Sequence, residues 1–265
     1  MPAPPNILVF DSGLGGLTVF RETVQARPDA RYVYVADDAA FPYGRIAERE
    51  LVAHVVALIG RLIDQHRPDL IVIACNTAST LVLPHLRARF AVPFVGTVPA
   101  IKPACAASAS KRVSVLGTEA TVGREYTRAL IRDFAQGCEV TLVGSARLSS
   151  LAEADLRCEP VADEDIVREI APCFVEDGGR PTDTIVLACT HYPLLIDRLE
   201  KLAPWPVGWI DPAPAIARRV VELIGPASGN EAAGSAQIVF TSGRAPDAPL
   251  LAALASYGLR IRAPV

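Results

Sequence analysis

The chain has 265 residues, of which 51% are hydrophobic and 21% are charged, and its formal net charge is −3. This length allows one large domain or two domains of about 100 to 150 residues, and the apolar content predicts a chain that is folded nearly throughout. The slightly acidic balance and the lack of a dense Lys/Arg tract argue against a nucleic acid or a membrane surface as the partner. We therefore expect a small solute as the partner.

Short, β-rich apolar runs alternate with longer segments of helical pattern along the chain. The predicted strands are residues 6–10, 32–36, 70–74, 93–96, 112–117, 139–143, 184–188 and 207–210. Continuous apolar strands separated by helices are typical of the α/β class, in which mostly parallel sheets are covered by helices on both faces. In such sheets, ligands bind beyond the carboxyl ends of the strands.

The opening MPAPP carries no basic segment, and the apolar run that follows it is too short for a secretory signal, so we expect a cytoplasmic protein. No apolar stretch reaches the roughly 18 residues that a membrane span requires. The cysteines form no CxxC pair and are expected to be free thiols in a reducing cytosol. They are Cys75, Cys105, Cys138, Cys158, Cys173 and Cys189.

One pattern, D-x-I-V-x-A-C, occurs twice, at residues 69–75 and 183–189, with an offset of 189 − 75 = 114 residues. This offset is about the size of one α/β domain. A weaker parallel links residues 6–16 with residues 112–123. The repeat predicts two related halves that each bring one thiol to the end of a strand. If the halves face each other, the two thiols lie on opposite sides of a cleft.

Cys75 and Cys189 have a different setting from the other four cysteines. A free cysteine is usually a small buried hydrophobe, and this structural interpretation holds for the other four. Cys75 is followed by Asn76, and Cys189 is followed by Thr190 and His191, which are polar where a core would continue apolar. A thiol at a strand end that leads into a helix N-terminus meets unpaired backbone N–H groups and the positive end of the helix dipole, which favour the thiolate.

Two thiols on opposite sides of a substrate are suited to the inversion of a stereocentre through a carbanion. One group removes a proton from one face of the carbon while the other delivers a proton to the opposite face, whereas a single base would usually return the starting enantiomer. With a reference pKa of about 8.5, one thiol can act as the base while its partner acts as the acid near neutral pH. The pattern therefore predicts a two-base inversion.

Five stretches of the sequence resemble the glutamate racemases, within the cofactor-independent aspartate/glutamate racemase superfamily. They are FDSGLGGLTV (10–19), FPYG (41–44), ACNTAS (74–79), LGTEATVGREY (116–126) and ACTHYPLL (188–195). The resemblance implies an α/β fold of two pseudo-symmetric domains with the active site in the cleft between them. Residues 1–97 and 211–265 would form the first domain, because the C-terminal segment returns to complete it, and residues 98–210 would form the second.

The resemblance also implies the catalytic roles. Cys75 corresponds to the base that acts on D-glutamate and Cys189 to the base that acts on L-glutamate, and each thiol reprotonates in the other direction. Asp11 and His191 correspond to the polar partners of Cys75 and Cys189, respectively. Glu153 is a weaker match for a further acidic partner, because SARLSSLAEAD departs from the usual wording of this segment. Asp11 could instead cap the next helix, and His191 could be a structural imidazole.

The charged groups of the substrate need donors and acceptors that are not bulky cations, and polar groups at strand–helix junctions suit this role. The implied substrate-binding residues are Asp11, Ser12, Pro42, Tyr43, Gly44, Asn76, Thr77, Thr118, Thr121, Thr190 and His191. Among them, the segment 42–44 resembles the loop of the family that contacts the side-chain carboxylate. The hydroxyl, amide and turn residues of this set could also serve only as helix caps or turn formers.

The resemblance implies a reaction without pyridoxal phosphate, flavin or metal, and a role in supplying D-glutamate for peptidoglycan. The lysines, Lys102, Lys111 and Lys201, have no recognisable Schiff-base setting. The sequence does not indicate the oligomeric state, and a homodimer stays open.

A nicotinamide-dependent oxidoreductase is one alternative. The turn with Gly13, Gly15 and Gly16 after the first strand, and Asp37 after the second, imitate a dinucleotide-binding unit with its acidic ribose ligand. The third glycine of the motif would, however, fall at Thr18. Asp11 would also place a carboxylate in the region where the pyrophosphate of the dinucleotide should bind.

Further alternatives concern the thiols themselves. Cys75, Cys189 and His191 match the ligand types of catalytic zinc, although the Cys-x-His spacing is unusual. A non-catalytic amino-acid-binding or redox-sensing module would need the thiols only for ligand contact or a disulfide, and it predicts that Cys75→Ser keeps full function. An aspartate racemase or another isomerase of the superfamily also stays open, but the wording of DSGLGGLTV and CTHYPLL favours glutamate.

Overall fold

The computed structural model describes residues 4–135, 137–227 and 234–261. Contacts divide the chain into two compact units, one formed by Met1–Thr97 with Ala213–Val265 and the other by Val98–Pro212. Unit 1 is therefore built from two separate stretches of chain, whereas unit 2 is continuous. Within the described ranges, no helix is both long enough and apolar enough to cross a membrane.

Strands and helices alternate along most of the chain. The strands are β1 Asn6–Asp11, β2 Arg31–Ala36, β3 Leu70–Ile73, β4 Phe94–Gly96, β5 Arg112–Thr118, β6 Glu139–Ser145, β7 Glu176–Asp177, β8 Arg180–Pro181, β9 Thr184–Ala188, β10 Gly208–Ile210, β11 Ala236–Phe240 and β12 Arg260–Ile261. The α-helices are α1 Leu17–Ala26, α2 Glu48–His66, α3 Asn76–Arg89, α4 Ile101–Ala107, α5 Glu119–Val122, α6 Glu125–Phe134, α7 Leu148–Leu156, α8 Asp163–Ile170, α9 Ile196–Leu202, α10 Ala213–Ile224 and α11 Ala248–Ser256. Short 3-10 turns lie at Asp38–Ala40, Tyr43–Arg45, Ala171–Cys173 and Tyr192–Leu195.

The α/β class predicted from the sequence is confirmed. Each of the predicted strands is present, with ends that differ from the prediction by at most two residues. The prediction missed β11, β12 and the short antiparallel hairpin of β7 and β8. The parallel arrangement follows from strands that are apolar along nearly their whole length, because both faces of such a strand must be covered.

Unit 1 contains a six-stranded sheet with the order β12–β11–β2–β1–β3–β4, in which all neighbours are parallel. Side chains of a strand point alternately to opposite faces, so helices can cover both sides. Phe20 of α1 packs edge-on against Tyr34 of β2, with ring centroids 6.0 Å apart. Val35 of β2 joins the core cluster that contains Leu51 and Val55 of α2. The helices α1 and α2 therefore lie on opposite faces of the sheet.

The C-terminal stretch is joined to the rest of unit 1 by strand pairing and by hydrogen bonds from the buried Arg27. Strand β11 pairs with β2 along its full length. The guanidinium of Arg27 donates to both carboxylate oxygens of Asp29, at 2.8 and 2.6 Å, and through Nη1 to the carbonyls of Ile224 and Gly225, at 3.1 and 2.7 Å. These carbonyls lie at the end of α10, where helices leave backbone acceptors unsatisfied. Arg27 therefore fixes the end of α10 to the N-terminal stretch.

Unit 2 contains a four-stranded sheet with the order β10–β9–β5–β6, and its neighbours are again parallel. Leu187 of β9 packs with Leu148 of α7 and Ile166 of α8 in one core cluster. Val186 packs with Ile101 of α4 in another. Because consecutive residues of β9 belong to different clusters, this sheet is also covered on both faces. Buried polar residues also occur inside its strands, such as Ser114 of β5, whose hydroxyl donates to the carbonyl of Cys173 at 2.6 Å.

Candidate active site

Cys75 lies just beyond β3 and is the N-cap residue of α3. Its Sγ accepts a hydrogen bond from the backbone N–H of Ala78 at 3.5 Å, and the residue is 5% exposed. The sulfur therefore faces the first turn of a 14-residue helix, where unpaired N–H groups and the helix dipole favour negative charge. This is the setting that the sequence predicted for this thiol.

Asp11 ends β1 next to the segment that carries Cys75. Phe10 pairs with Ile73 across the two strands, and the carbonyl of Phe10 accepts a hydrogen bond from Ala74 at 2.8 Å. Asp11 is fully buried, and its Oδ2 accepts a hydrogen bond from the N–H of Gly13 at 3.0 Å. The helix α1 starts only at Leu17 and has Gly16 at its N-cap. Asp11 is therefore not the cap of α1.

The turn after β1 approaches both strand ends closely. A Cβ atom on Gly16 would lie 2.8 Å from the Oη of Tyr34 and 2.9 Å from the Cβ atoms of Ala74 and Asp11. Such distances are shorter than real Cβ contacts, so a residue without a side chain is required here. The DSGLGG turn thus packs directly against the ends of β1 and β3.

Asn76 is the first residue of α3 and is 2% exposed. Neither Oδ1 nor Nδ2 of its amide has a hydrogen-bond partner among the described residues. A buried amide without partners costs free energy, so native proteins rarely keep one that no ligand or water satisfies. The neighbouring Thr77 and Ser12 are also buried. These polar groups collect at the carboxyl edge of the unit 1 sheet.

The predicted substrate loop, Pro42 to Gly44, overlaps the 3-10 turn Tyr43–Arg45, and Pro42 is the N-cap residue of that turn. Tyr43 is 2% exposed and belongs to the same core cluster as Cys75. Its hydroxyl donates to Oδ2 of Asp37 at 2.5 Å. Burial, followed by the negative charge of Asp37, raises the pKa of Tyr43 well above its usual value, and the charges of Cys75 and Asp11 add to this. Tyr43 therefore remains a hydrogen-bond donor at neutral pH.

In unit 2, Thr118 ends β5 beside the end of β9, because Gly117 pairs with Ala188. The Oγ1 of Thr118 caps the short helix α5 by accepting from the N–H of Thr121 at 3.1 Å, and the two hydroxyls are 2.9 Å apart. Capping is thus one role of Thr118, as the structural alternative predicted. Cys189 follows Ala188, so both threonines lie at the carboxyl edge that carries this thiol.

Cys189 and His191, which are buried, and Glu153, which is partly buried, form a chain of contacts. The Sγ of Cys189 lies 3.8 Å from Nδ1 of His191, and Nε2 of His191 lies 3.0 Å from Oε1 of Glu153 on α7. Burial alone lowers the pKa of His191, but its hydrogen bonds with Cys189 and Glu153 outweigh burial, so that the pKa is raised well above its usual value. The imidazolium form is therefore favoured next to the sulfur.

The surroundings of Cys189 differ from the prediction in one respect. Thr190 and His191 are buried, but no α-helix starts directly after the thiol. A 3-10 turn occupies Tyr192–Leu195, and α9 begins only at Ile196. The expectation of a helix N-terminus directly at this thiol was therefore wrong, because the first helical turn has 3-10 geometry and begins only at Tyr192. The positive charge beside this sulfur comes from His191.

The other four cysteines have mixed settings. Cys105 and Cys173 are buried, and burial raises the pKa of both thiols to about 12. Cys138 is partly exposed, and Cys158 is exposed with a positive φ of 58°. The structural interpretation as small buried hydrophobes therefore does not describe Cys158. All six cysteines are free thiols.

Sequence reasoning did not place Asp37, His54 and Thr241 at the site. His54 Nε2 lies 2.6 Å from Oδ2 of Asp37, and the hydroxyl of Thr241 donates to Oδ1 at 2.7 Å. The sequence signal was the position of Asp37 directly after a strand, which was interpreted only as the ribose ligand of the oxidoreductase alternative. In the parts of the chain that the structure describes, no cluster of three or more His, Cys, Asp or Glu side chains could hold a metal ion.

Comparison with known proteins identifies the relatives of the chain. Residues 11–220 match the family model described as Asp/Glu/Hydantoin racemase. A glutamate racemase of Mesorhizobium japonicum is 55% identical over 97% of this chain and 98% of its own length. A glutamate racemase of Brucella ovis is 51% identical over 98% of this chain and 96% of its own length.

A solved structure supports the same relationship. The glutamate racemase of Escherichia coli, crystallised with L-glutamate and the activator UDP-MurNAc-Ala, superimposes with a TM-score of 0.88 at 40% identity. The match covers 97% of each chain. With the family model spanning most of the sequence, and with near full-length relatives at this identity, the chain belongs to the Asp/Glu/Hydantoin racemase family.

Proposed function

We propose that the chain interconverts L- and D-glutamate by moving the Cα proton between two thiols, without pyridoxal phosphate, flavin or metal. The observation that carries the proposal is the equivalent position of Cys75 and Cys189 after parallel strands of the two sheets, each within a copy of D-x-I-V-x-A-C. The names and high coverage of the relatives support glutamate as the substrate. The E. coli relative was crystallised with L-glutamate.

In the proposed reaction, the thiolate of Cys75 removes the Cα proton of D-glutamate, and the S–H of Cys189 delivers a proton to the opposite face of the resulting carbanion. The product is L-glutamate, with Cys75 as a thiol and Cys189 as a thiolate, and the reverse reaction starts from that state. The mechanism requires both thiols to reach one Cα, which is the arrangement that the family resemblance implies.

Neighbouring groups set the charge of each sulfur in this proposal. The first turn of α3 donates to Cys75, and Asp11 ends the adjacent strand. His191, which is favoured as an imidazolium, stabilises the thiolate of Cys189, and Glu153 balances its charge. Asp11 and His191 are thus proposed as the polar partners of the two thiols.

The remaining predicted residues are proposed to hold the substrate. The buried amide of Asn76, whose atoms have no partner among the described residues, is free to bind a polar group of glutamate. The segment 42–44 would receive the side-chain carboxylate. The hydroxyls proposed for the other charged groups belong to Ser12, Thr77, Thr118, Thr121 and Thr190.

We also propose that the protein works in the cytoplasm and supplies D-glutamate for peptidoglycan. The support is the resemblance to bacterial glutamate racemases, together with the lack of a membrane-spanning helix in the described ranges. A small amino acid is the proposed partner, in line with the net charge of −3.

Incubation of each pure glutamate enantiomer in D₂O tests the two-base reaction. Optical rotation follows inversion, and NMR or mass spectrometry follows deuterium at Cα. We expect deuterium in the inverted product while the remaining substrate stays largely protiated at early times, because the proton that is delivered comes from the second thiol. Retention of the substrate proton in the product would contradict a two-base transfer.

Variants separate the two-base reaction from its alternatives. Cys75→Ser and Cys189→Ser should each lower kcat/KM by about 10²-fold or more, because general acid–base groups contribute about 10²- to 10⁴-fold. The exposed Cys158→Ser is the control and should match the wild type. Full function in Cys75→Ser would favour a binding or redox module, and racemisation of aspartate instead of glutamate would favour an aspartate racemase.

A further inference from the structure

Asp37 is a buried carboxylate that the thiol chemistry does not use. It directly follows β2 and is 1% exposed. Its Oδ2 lies 2.5 Å from the hydroxyl of Tyr43 and 2.6 Å from Nε2 of His54, and its Oδ1 accepts from the hydroxyl of Thr241 at 2.7 Å. We call these four residues the Asp37 cluster. They come from the end of β2, the substrate loop, α2 and the end of β11.

The hydrogen bonds of the cluster explain why a carboxylate is tolerated in the core. An ionised carboxylate that is removed from water is costly unless donors surround it. Here three side chains reach it, and hydrogen bonds to charged groups are about twice as strong as neutral ones. An acceptor that is engaged on both oxygens has little freedom to move. Asp37 is therefore a fixed point at the carboxyl edge of the sheet.

Tyr43 connects Asp37 to the substrate loop. Its ring is buried in the cluster of core residues that includes Cys75, and it packs edge-on against His54, with centroids 6.4 Å apart. The carbonyl of Tyr43 accepts a backbone hydrogen bond from Ile46 at 3.2 Å, and that of Pro42 accepts one from Arg45 at 3.2 Å. The position of the Tyr43 hydroxyl therefore sets the position of this short turn.

Thr241 connects the cluster to the C-terminal stretch of the chain. Its N–H donates to the carbonyl of Ala36 at 3.0 Å, which continues the pairing of β11 with β2. The next residue, Ser242, donates through its N–H to Oδ1 of Asp38 at 2.9 Å. The hydroxyl of Thr241 is thus held against Asp37 by backbone contacts on both sides. Thr241, which lies 204 positions after Asp37 in the sequence, is thereby connected to the substrate loop through Asp37 and Tyr43.

We propose that Asp37 is a positioning residue, which holds Tyr43 and the segment 42–44 where they receive the side-chain carboxylate of the substrate, with Thr241 fixing Asp37 in turn. This inference rests on the proposed function. The side-chain carboxylate lies away from the reacting Cα, so its contacts are equally strong in the ground state and the transition state. Loss of such uniform binding raises KM and leaves kcat nearly unchanged.

Thr241→Val tests the inference, because it removes the hydroxyl and keeps the shape of the side chain. We expect KM for both glutamate enantiomers to rise about tenfold, the equivalent of one hydrogen bond to a charged group, with kcat within about twofold of the wild type. Thr241→Ser, which keeps the donor, should restore the wild-type KM. Thr23→Val is the matched control, since Thr23 is also buried in unit 1 and its hydroxyl donates to the carbonyl of Val19 at 2.8 Å.

A double-mutant cycle tests whether Asp37 acts through Tyr43. If Tyr43→Phe and Asp37→Asn remove the same support, the double variant should have a KM no higher than that of the worse single variant. Strictly additive effects on KM would overturn the inference. Circular dichroism and the melting temperature of each variant check that it is folded.

The outcomes separate the inference from the proposed function. If the wild-type protein does not racemise glutamate, the proposed function fails. If the wild type is active and Thr241→Val changes KM no more than Thr23→Val does, Asp37 and Thr241 do not position the loop. An equal fall in kcat and kcat/KM for Thr241→Val would also overturn the inference, because it would place the effect in the transition state instead of in substrate binding.

Discussion

Replacement of Gly16 by alanine would measure how strictly the turn after β1 is packed against the strand ends. The added Cβ would meet Tyr34 Oη at 2.8 Å and the Cβ atoms of Ala74 and Asp11 at 2.9 Å. Gly16 has φ −61° and ψ −6°, which alanine adopts without strain. Any loss of stability therefore comes from the contacts and not from strain in the backbone conformation.

The magnitude follows from which atoms can move. Two of the three contacts are Cβ atoms fixed to the backbone, and the hydroxyl of Tyr34 is held by its hydrogen bond to the carbonyl of Gly13 at 3.0 Å. Overpacking of this kind costs about 1–3 kcal/mol, and the lower entropy of the unfolded alanine chain offsets about 0.4–1 kcal/mol. We expect a net loss of about 1–2 kcal/mol, or about 2–8 °C in Tm for a unit of this size.

Activity should fall as well, because the clash displaces the segments that carry Asp11 and Cys75. A misplacement of about 1 Å can cost about 10²-fold in rate. Thermal unfolding followed by circular dichroism and racemisation of both glutamate enantiomers are the two assays. Gly60→Ala in α2 is the control, since its Cβ would meet only the edge of the Phe90 ring, at 3.3 Å, and alanine favours the helix. If Gly16→Ala had the Tm and the racemisation rate of the wild type, the packing argument would be wrong.

Two further predictions concern the buried polar groups. Glu153→Gln replaces the charged acceptor of His191 by a neutral amide oxygen, which removes the negative charge that helps to raise the pKa of His191. The alkaline limb of kcat/KM against pH should therefore move to lower pH. The shift should be equal for both enantiomers, because they have the same free energy and the ratio of the two kcat/KM values is therefore the same at every pH. An unchanged dependence of kcat/KM on pH would contradict this role of Glu153. The pKa of His191 in the folded protein lies above the unfolded value of about 6.5. Protonated His191 therefore contributes fully to the stability of the fold below about pH 6.5, and this contribution is lost as the pH rises through the raised pKa. Asn76→Ala should leave Tm within about 2 °C of the wild type, since the amide has no partner among the described residues. The same substitution should raise KM for glutamate about tenfold. A large fall in Tm with a normal KM would show that the amide has a structural role instead.

The sequence was a good guide to the sheets because their strands are continuous apolar runs. The central strands were predicted nearly to the residue, and the position of Cys75 at a helix N-terminus followed from the polar residues after it. Strand β11 was missed because AQIVF is a single short apolar run near the end of the chain. Its place beside β2 depends on pairing between residues about 200 positions apart, which local patterns do not contain.

Side-chain partners in the candidate site were harder to predict than its motifs. Asp37 was visible as a carboxylate after a strand, but its contacts with His54 and Thr241 arise from tertiary packing. The polar residues after Cys189 predicted a helix N-terminus there, whereas a 3-10 turn begins at Tyr192. Local motifs thus predicted where candidate side chains lie along the strands, whereas the hydrogen bonds that hold them depend on tertiary packing.

The pairing of β2 with β11 has a consequence for synthesis of the protein on the ribosome. Unit 2 is continuous, so its whole chain has been made before Ala213 is reached, whereas unit 1 still lacks β11. Until β11 emerges, the nascent chain leaves the edge of β2 open, with the apolar run Tyr32–Ala36 ready to pair with another molecule. A chain that is truncated before Ala236 should therefore aggregate, because this edge of the sheet stays open.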